Sequence, residues 1–314
     1  MTPVAGPLPA RRLPFKQLLL VLGLVATAYA AVLLIWGEGA GAGWSSLGLL
    51  WSWTGLQAAA LCLVNYLLRG LRWRHWMAHY GRHFGRLQGL RLYLAGYAFT
   101  PTPGNVGEAV RGLMLAHQPL GAKQSLALFG AERMADLLCL LLLCLPAVWW
   151  GLTHGAVQST PAWLAGVGLL GGLVLVLLYW QRHAVLRRFA WLREAWHCLA
   201  LRPLLWLGLT LTAWAAQGIA VWLVCRELGV SLQWLTATGF YALAMVAGAL
   251  SALPAGLGST EAVLTGLLIA QGATPAQALS ITVLSRLLTL WLAVFIGIVC
   301  LLYSAAFPKD ISLA

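Results

Sequence analysis

Pro101-Thr-Pro-Gly-Asn-Val-Gly-Glu108-Ala-Val-Arg111 decides the reading of this chain, because a second version follows at Pro254-Ala-Gly-Leu-Gly-Ser-Thr-Glu261-Ala-Val263. Laying Glu108 on Glu261, a displacement of 153 positions, aligns the two without a gap. Pro101 then falls on Pro254, and Glu108-Ala-Val on Glu261-Ala-Val. Farther along the same register, Gln118 falls on Gln271, Leu126 on Leu279 and Arg133 on Arg286. Each copy is a Pro/Gly-rich interruption of apolar sequence (Pro101, Pro103, Gly104 and Gly107; Pro254, Gly256 and Gly258). Proline removes a backbone donor and glycine frees φ, so such a stretch breaks a helix. A Glu then opens a short helix, and an Arg follows in the next apolar span. Chance supplies any one of these matches; a common register for all of them points to a duplicated structural unit.

Composition names the solvent. The 314 residues are 61% hydrophobic and 9% charged, with a mean hydropathy of +0.82. Soluble domains carry about 25% charged residues. This chain cannot cover a globular surface with polar groups, so it belongs in a bilayer. Its +12 charge is therefore read through the excess of Lys and Arg in cytoplasmic loops, and no nucleic-acid partner is expected. The 17 Trp suit the headgroup level of a membrane. Cys62, Cys139, Cys144, Cys198, Cys225 and Cys300 form no Cys-x-x-Cys pair. They read as apolar fillers, without a disulfide framework or a metal site.

Taken in order, residues 1–16 are Pro-rich, basic and expected to be mobile; residues 17–314 form one membrane domain. The apolar run from Leu18 to Trp36 is long enough to cross about 30 Å of hydrocarbon. Ala28-Tyr-Ala30 resembles a signal-peptidase site, but the run continues beyond it, so it reads as a retained span. Further spans are expected at about 47–68, 127–150, 163–180, 203–224 and 277–304. The segment after Leu68 carries Arg69, Arg72, Arg74, Arg82, Arg86 and Arg91 among Trp73, Trp76, Tyr80 and Phe84. It reads as an interfacial cytoplasmic stretch. Its His75, His79 and His83 share a helix face, which here makes a polar stripe. Arg182, Arg187, Arg188, Arg193 and Arg202 form a second basic stretch.

The two breaks lie between half-length apolar segments, 92–100 with 108–117 and 235–252 with 261–272. Such pairs read as re-entrant hairpins, tolerated where protein or a polar cavity surrounds the irregular backbone. Basic segments at 1–16, 69–91 and 181–202, with nearly Lys/Arg-free loops between them, place both termini in the cytoplasm and turn the hairpins in opposite directions. The expected fold is all-α: six transmembrane helices and two re-entrant hairpins in inverted repeats, about 17–150 and 163–304. Many secondary transporters build a midplane site in this way.

A half-helix beginning inside the membrane presents free N–H groups and a positive dipole end, which suit an anion such as a lipid phosphate. Arg133 and Arg286 add cations able to grip phosphate with two hydrogen bonds. Intramembrane charges need partners or a wet cavity; Glu108 and Glu261 are the natural partners, with Glu132 and Asp136 nearby. The plainer reading is that each Arg ties its hairpin to its span. Arg111, three after Glu108, fits a local ion pair or a substrate contact. Asn105, Ser259 and Thr260 complete the expected substrate-lining set, and Ser259 or Thr260 is expected to cap the half-helix opened by Glu261. Glu108 and Glu261 also suit proton carriage. The sequence has no Gly-x-Ser-x-Gly, Walker loop or His-Glu-x-x-His, so no enzyme, cofactor or metal chemistry is expected.

At these residues the chain resembles a known family. Pro-x-Pro-Gly-Asn-Val-Gly-Glu108-Ala-Val-Arg111 is similar to the first signature of the lysylphosphatidylglycerol synthase transmembrane family. Leu253-Pro-Ala-Gly-Leu-Gly-Ser-Thr-Glu261, with Arg286 beyond, resembles the second. The resemblance covers nearly the whole chain. It implies a bacterial inner-membrane protein that moves, or helps supply, an amphiphilic lipid. It also implies membrane lipids, anionic ones foremost, as partners and allows a lipid-synthesising enzyme partner. In full-length synthases a separate cytosolic domain makes the lipid; without one, this chain is not expected to synthesise it. A non-transporting accessory subunit is the alternative.

Overall fold

A computed structural model describes residues 23, 27, 44–102, 108, 109, 111, 120–153, 190–251 and 253–306. The segment 1–16, the span at 163–180, most of the run from Leu18 to Trp36 and most of the first break fall outside them, as do Pro103, Gly104, Asn105 and Gly107. Every regular element among the described residues is helical.

After a 3-10 turn at Trp44–Trp51, α1 runs from Trp53 to His79. Ser52 starts it, its hydroxyl accepting from Gly55 N at 3.1 Å. Then come α2 (Arg86–Ala95), a 3-10 turn (Gly96–Phe99), α3 (Ala122–Leu143) and α4 (Leu145–Thr153). The second half holds α5 (Ala190–Ala200), α6 (Pro203–Glu227), α7 (Trp234–Leu250), α8 (Ser259–Ala270) and α9 (Pro275–Arg286). A π-turn at Leu287–Trp291 leads into α10 (Leu292–Ala306). Pro203 opens α6 where its missing N–H is harmless. Thr274 opens α9 with a reciprocal cap: its hydroxyl accepts from Gln277 N at 3.2 Å, and Gln277 Oε1 accepts from Thr274 N at 3.0 Å.

Among the described residues, three helical stretches are long and apolar enough to cross a bilayer: Ala122–Thr153, Pro203–Glu227 and Pro275–Ser304. α7 and α8 are shorter and apolar. The outer surface is greasy, with Leu204, Trp149, Leu152 and Phe295 all exposed. In water such a surface would aggregate; in lipid it is matched to its solvent. The chain is a multi-pass membrane protein.

One boundary differs from the sequence-based expectation. The second span was expected to end near Leu68, with Arg69 and Arg72 in an interfacial segment. Instead α1 continues to His79 and buries both arginines. The reason is pairing: carboxylates on α3 take both guanidiniums inside the fold.

The packing is reciprocal under the 153-position displacement. That shift carries α1 onto α6, α2 onto α7, and α3–α4 onto α9–α10. α1 and α6 lie against each other, joined by Asn65 Nδ2 donating to Ala213 O at 2.8 Å. α2 packs on α10 while α7 packs on α4. Each of these two contacts is closed by a glycine. A Cβ on Gly297 would strike the Ala98 backbone nitrogen in the turn after α2 and lie 3.0 Å from Leu94 O of α2, and one on Gly239 would lie 2.6 Å from Ala147 N. Small residues let membrane helices approach closely. Gly297→Val is therefore expected to destabilise the protein by about 1–3 kcal/mol through overpacking. Thermal unfolding in detergent measures this; an unchanged midpoint would show that the α2–α10 contact opens at no cost.

Candidate functional site

The second copy of the repeat is the simpler. Pro254 leads into a turn in which Ala255 (φ 52°), Gly256 (φ 66°) and Gly258 (φ 88°) all occupy left-handed backbone. For Ala255 that conformation costs about 1–2 kcal/mol. Arg286 holds it: Nη2 donates to Ala255 O at 2.8 Å, and Nε donates to Glu261 Oε1 at 2.7 Å. Arg286 is 2% exposed. The cap of α8 is not the expected hydroxyl. Glu261 Oε2 accepts from Gly258 N at 2.6 Å. Ser259 Oγ turns back to Gly256 O and Ser251 Oγ. Thr260 is buried against Gly248 and Gly256 with its hydroxyl unpartnered. Gly258 is the cap residue, so Ser259 and Thr260 are already the first two helical residues, and Glu261, the third, takes the cap N–H and complements the dipole.

The first copy carries far more charge. Arg133 Nη2 lies 3.3 Å from Glu108 Oε2 and 3.2 Å from Asp136 Oδ2. The Arg133–Glu108 pair spans 25 residues, as does Arg286–Glu261. Arg111 Nη2 donates to Glu108 at 2.7 Å and Nη1 to Glu132 at 3.1 Å. Its guanidinium rests over the Tyr93 ring, 4.4 Å from the centroid, a cation–π placement. Gly96 makes room for that side chain, since a Cβ there would collide with it. Asp136 accepts from Arg69 and from Arg72 at 2.7 Å each, and from Trp214 Nε1 at 3.3 Å. Thr100 donates to Glu108 at 2.8 Å and Arg72 to Thr210 at 2.9 Å. Ser125 at the start of α3 donates to Ala109 O, tethering the short segment beyond the break.

Glu108, Glu132, Asp136, Arg69, Arg72 and Arg111 are all buried. The network thus joins four guanidiniums to three carboxylates, leaving one positive charge in excess. Within it only the Arg133 side chain is substantially open, at 29% against 7% or less for the others.

Aromatic hydroxyls connect the two copies. Arg69 donates to Tyr97 Oη at 3.3 Å, and Tyr97 donates to Tyr93 at 3.1 Å. Tyr66 packs edge-on against Tyr97 with ring centroids 5.4 Å apart. Its hydroxyl is shared between the Leu288 and Thr289 carbonyls, at 3.1 and 3.0 Å. Those carbonyls belong to the π-turn directly after Arg286. A π-turn shifts the helical hydrogen-bond register, and such turns often mark functional sites. Tyr66→Phe strips this donor from a buried turn and should cost about 1–3 kcal/mol. Chemical denaturation reads it; a variant as stable as wild type would show that the turn holds itself.

Of the sequence-expected residues, Glu108, Arg111, Glu132, Arg133 and Asp136 come together, as do Glu261 and Arg286. Ser259 and Thr260 sit at the second turn but bond inward or not at all. Arg69, Arg72, Tyr93 and Tyr97 were missed. The available signal was a helix face: Asn65, Arg69, Arg72 and Trp76 recur at helical spacing and are all buried, and Asp136 needed cations. Among the described residues no cluster of His, Cys, Asp and Glu could hold a metal. His75, His79 and His83 do not form one.

A buried ion network inside a lipid-facing shell defines a polytopic membrane protein with a polar interior. The chain matches the family model for the lysylphosphatidylglycerol synthase TM region over residues 20–297 and belongs to that family. A UPF0104 membrane protein of Methanothermobacter thermautotrophicus is 31% identical to it over 103 residues, which is 33% of this chain and 30% of that relative. The match spans about a third of either protein.

Proposed function

We propose that this protein is a lipid flippase of the bacterial inner membrane, with both termini cytoplasmic and six spans plus two re-entrant hairpins arranged as inverted repeats. Its family membership supports a lipid-related role, and the reciprocal packing of α2 on α10 and α7 on α4 supports the repeat. The observation that carries the reading is that Arg133, paired with Glu108 and Asp136, is the open member, at 29%, of an otherwise buried network with one positive charge in excess. An anionic or zwitterionic headgroup offers phosphate to that guanidinium, while its acyl or isoprenoid chains stay in lipid. The two halves rock against each other to expose the site to either leaflet. The chain transports and does not catalyse; its partners are membrane lipids and, where one exists, the enzyme that makes them.

The test is reconstitution. Proteoliposomes carrying headgroup-labelled phospholipids or polyprenyl phosphates are treated with a membrane-impermeant quencher. Protein-free vesicles lose only the outer-leaflet signal. The flippase reading requires a further, protein-dependent loss for at least one lipid. No such loss across the panel, with stable co-purification of a lipid-modifying enzyme, would favour the accessory-subunit reading.

A further inference from the structure

A second polar site lies at the end of α1, away from the ion network. Leu71, Arg74, His75, Ala78, Arg82, His83 and Phe84 line a cleft of 280 Å³. Two arginines and two histidines face this space, and among the described residues no carboxylate lines it. His75 Nε2 is enclosed and makes no hydrogen bond. Two of the last carbonyls of α1 are taken: Met77 O accepts from Tyr80 N and Arg82 N at 3.0 and 3.1 Å, and Ala78 O from Gly81 N at 3.0 Å. α2 begins two positions after Phe84, so its positive end adds to the same field.

The ligand class follows from what leads to the cleft. Leu56, Leu63, Leu67 and Leu71 are 54%, 42%, 44% and 46% exposed and share one face of α1. That face continues directly into Arg74 and Ala78. An apolar strip ending in a basic pocket matches an amphiphile with chains on the strip and an anion at its end. We infer that this cleft holds the phosphate of a membrane lipid whose chains lie along the Leu56–Leu71 strip. Arg74 and Arg82 supply charge-assisted hydrogen bonds to the phosphate oxygens, and His75 and His83 supply further donors. The site lies on the outside of α1, so it does not depend on the transport reading.

The full-length protein, delipidated in detergent, is titrated with phosphatidylglycerol, with diacylglycerol of the same chains and with inorganic phosphate, and bound lipid is counted by native mass spectrometry. Phosphatidylglycerol is expected to bind best. The Arg74→Gln/Arg82→Gln pair should weaken it about tenfold or more, since each cation near an anionic lipid contributes about 1 kcal/mol. Arg74→Lys/Arg82→Lys should restore most of that loss. His83→Glu, at an exposed position, should also weaken binding and needs no buried residue to change. The Gln pair should lose affinity by the same factor in an Arg133→Ala background, which keeps this test separate from any lipid held at the ion network. Equal affinity in wild type, the Gln pair and His83→Glu would overturn the site. So would diacylglycerol binding as well as phosphatidylglycerol, and inorganic phosphate binding as tightly as the lipid would make the cleft a free-phosphate site.

Discussion

Asp136→Asn is expected to lower the midpoint of thermal unfolding in detergent by about 6 °C or more. The side chain is buried and accepts from Arg69, Arg72 and Trp214, with Arg133 also within ion-pair distance. Asn keeps the shape but removes the charge, leaving Arg69 and Arg72 enclosed without their main counter-ion. Breaking one partner of a buried ion pair costs about 3–5 kcal/mol, because the remaining charge stays desolvated. Replacing the cluster by apolar residues is a different experiment. Arg72→Met combined with Asp136→Leu should recover part of the loss, since a whole buried pair is often neutral to remove. A midpoint for Asp136→Asn within about 2 °C of wild type would mean that water reaches the network and screens it.

Arg133→Ala and Arg286→Ala are expected to fail in opposite ways. Arg286 is buried, braces the left-handed Ala255 and pairs with Glu261. Its loss leaves a strained turn and a carboxylate without their partner, so the protein should be destabilised by about 3 kcal/mol or more. Arg133 is partly open, and Glu108 keeps its bond from Arg111 when Arg133 is gone. Arg133→Ala should therefore fold with a near-native midpoint. Under the flippase reading it should slow quencher-accessible lipid movement about tenfold or more, the scale expected when one charge-assisted contact is lost. Arg133→Lys should retain an intermediate rate, because a compact ammonium lacks the fork that grips phosphate with two bonds. Equal rates for wild type and Arg133→Ala would remove Arg133 from the transport path.

The paired Glu and Arg were legible because the same chemistry recurs twice in one register. Their contacts follow from sequence logic: a charge inside lipid needs a partner, and the partner lay at the same spacing in both copies. Arg69 and Arg72 were not legible by that route. A run of arginines beside an apolar span has the composition of a membrane surface, and composition does not say which face of a helix turns inward. The cap of α8 was misassigned for a similar reason. Hydroxyls at Ser259 and Thr260 match the usual cap chemistry, but the left-handed Gly258 moves the start of the helix and hands its N–H to Glu261. The π-turn after Arg286 has no signature in residue order. It is a register change held by Tyr66, more than two hundred positions away.

Under the displacement that aligns the breaks, Glu132 falls on Ser285 and Asp136 on Thr289. Both counterparts are buried, and Thr289 spends its hydroxyl on the Ser285 carbonyl. The two stretches are therefore unequal mechanical parts. Where the first is held by seven interlinked charges, the second has the single Arg286–Glu261 pair, with the Arg286–Ala255 and Thr289–Ser285 bonds beside it. Under the flippase reading, that sparser set of charges makes the stretch from α7 to α10 the more compliant arm, where rocking of the halves would begin.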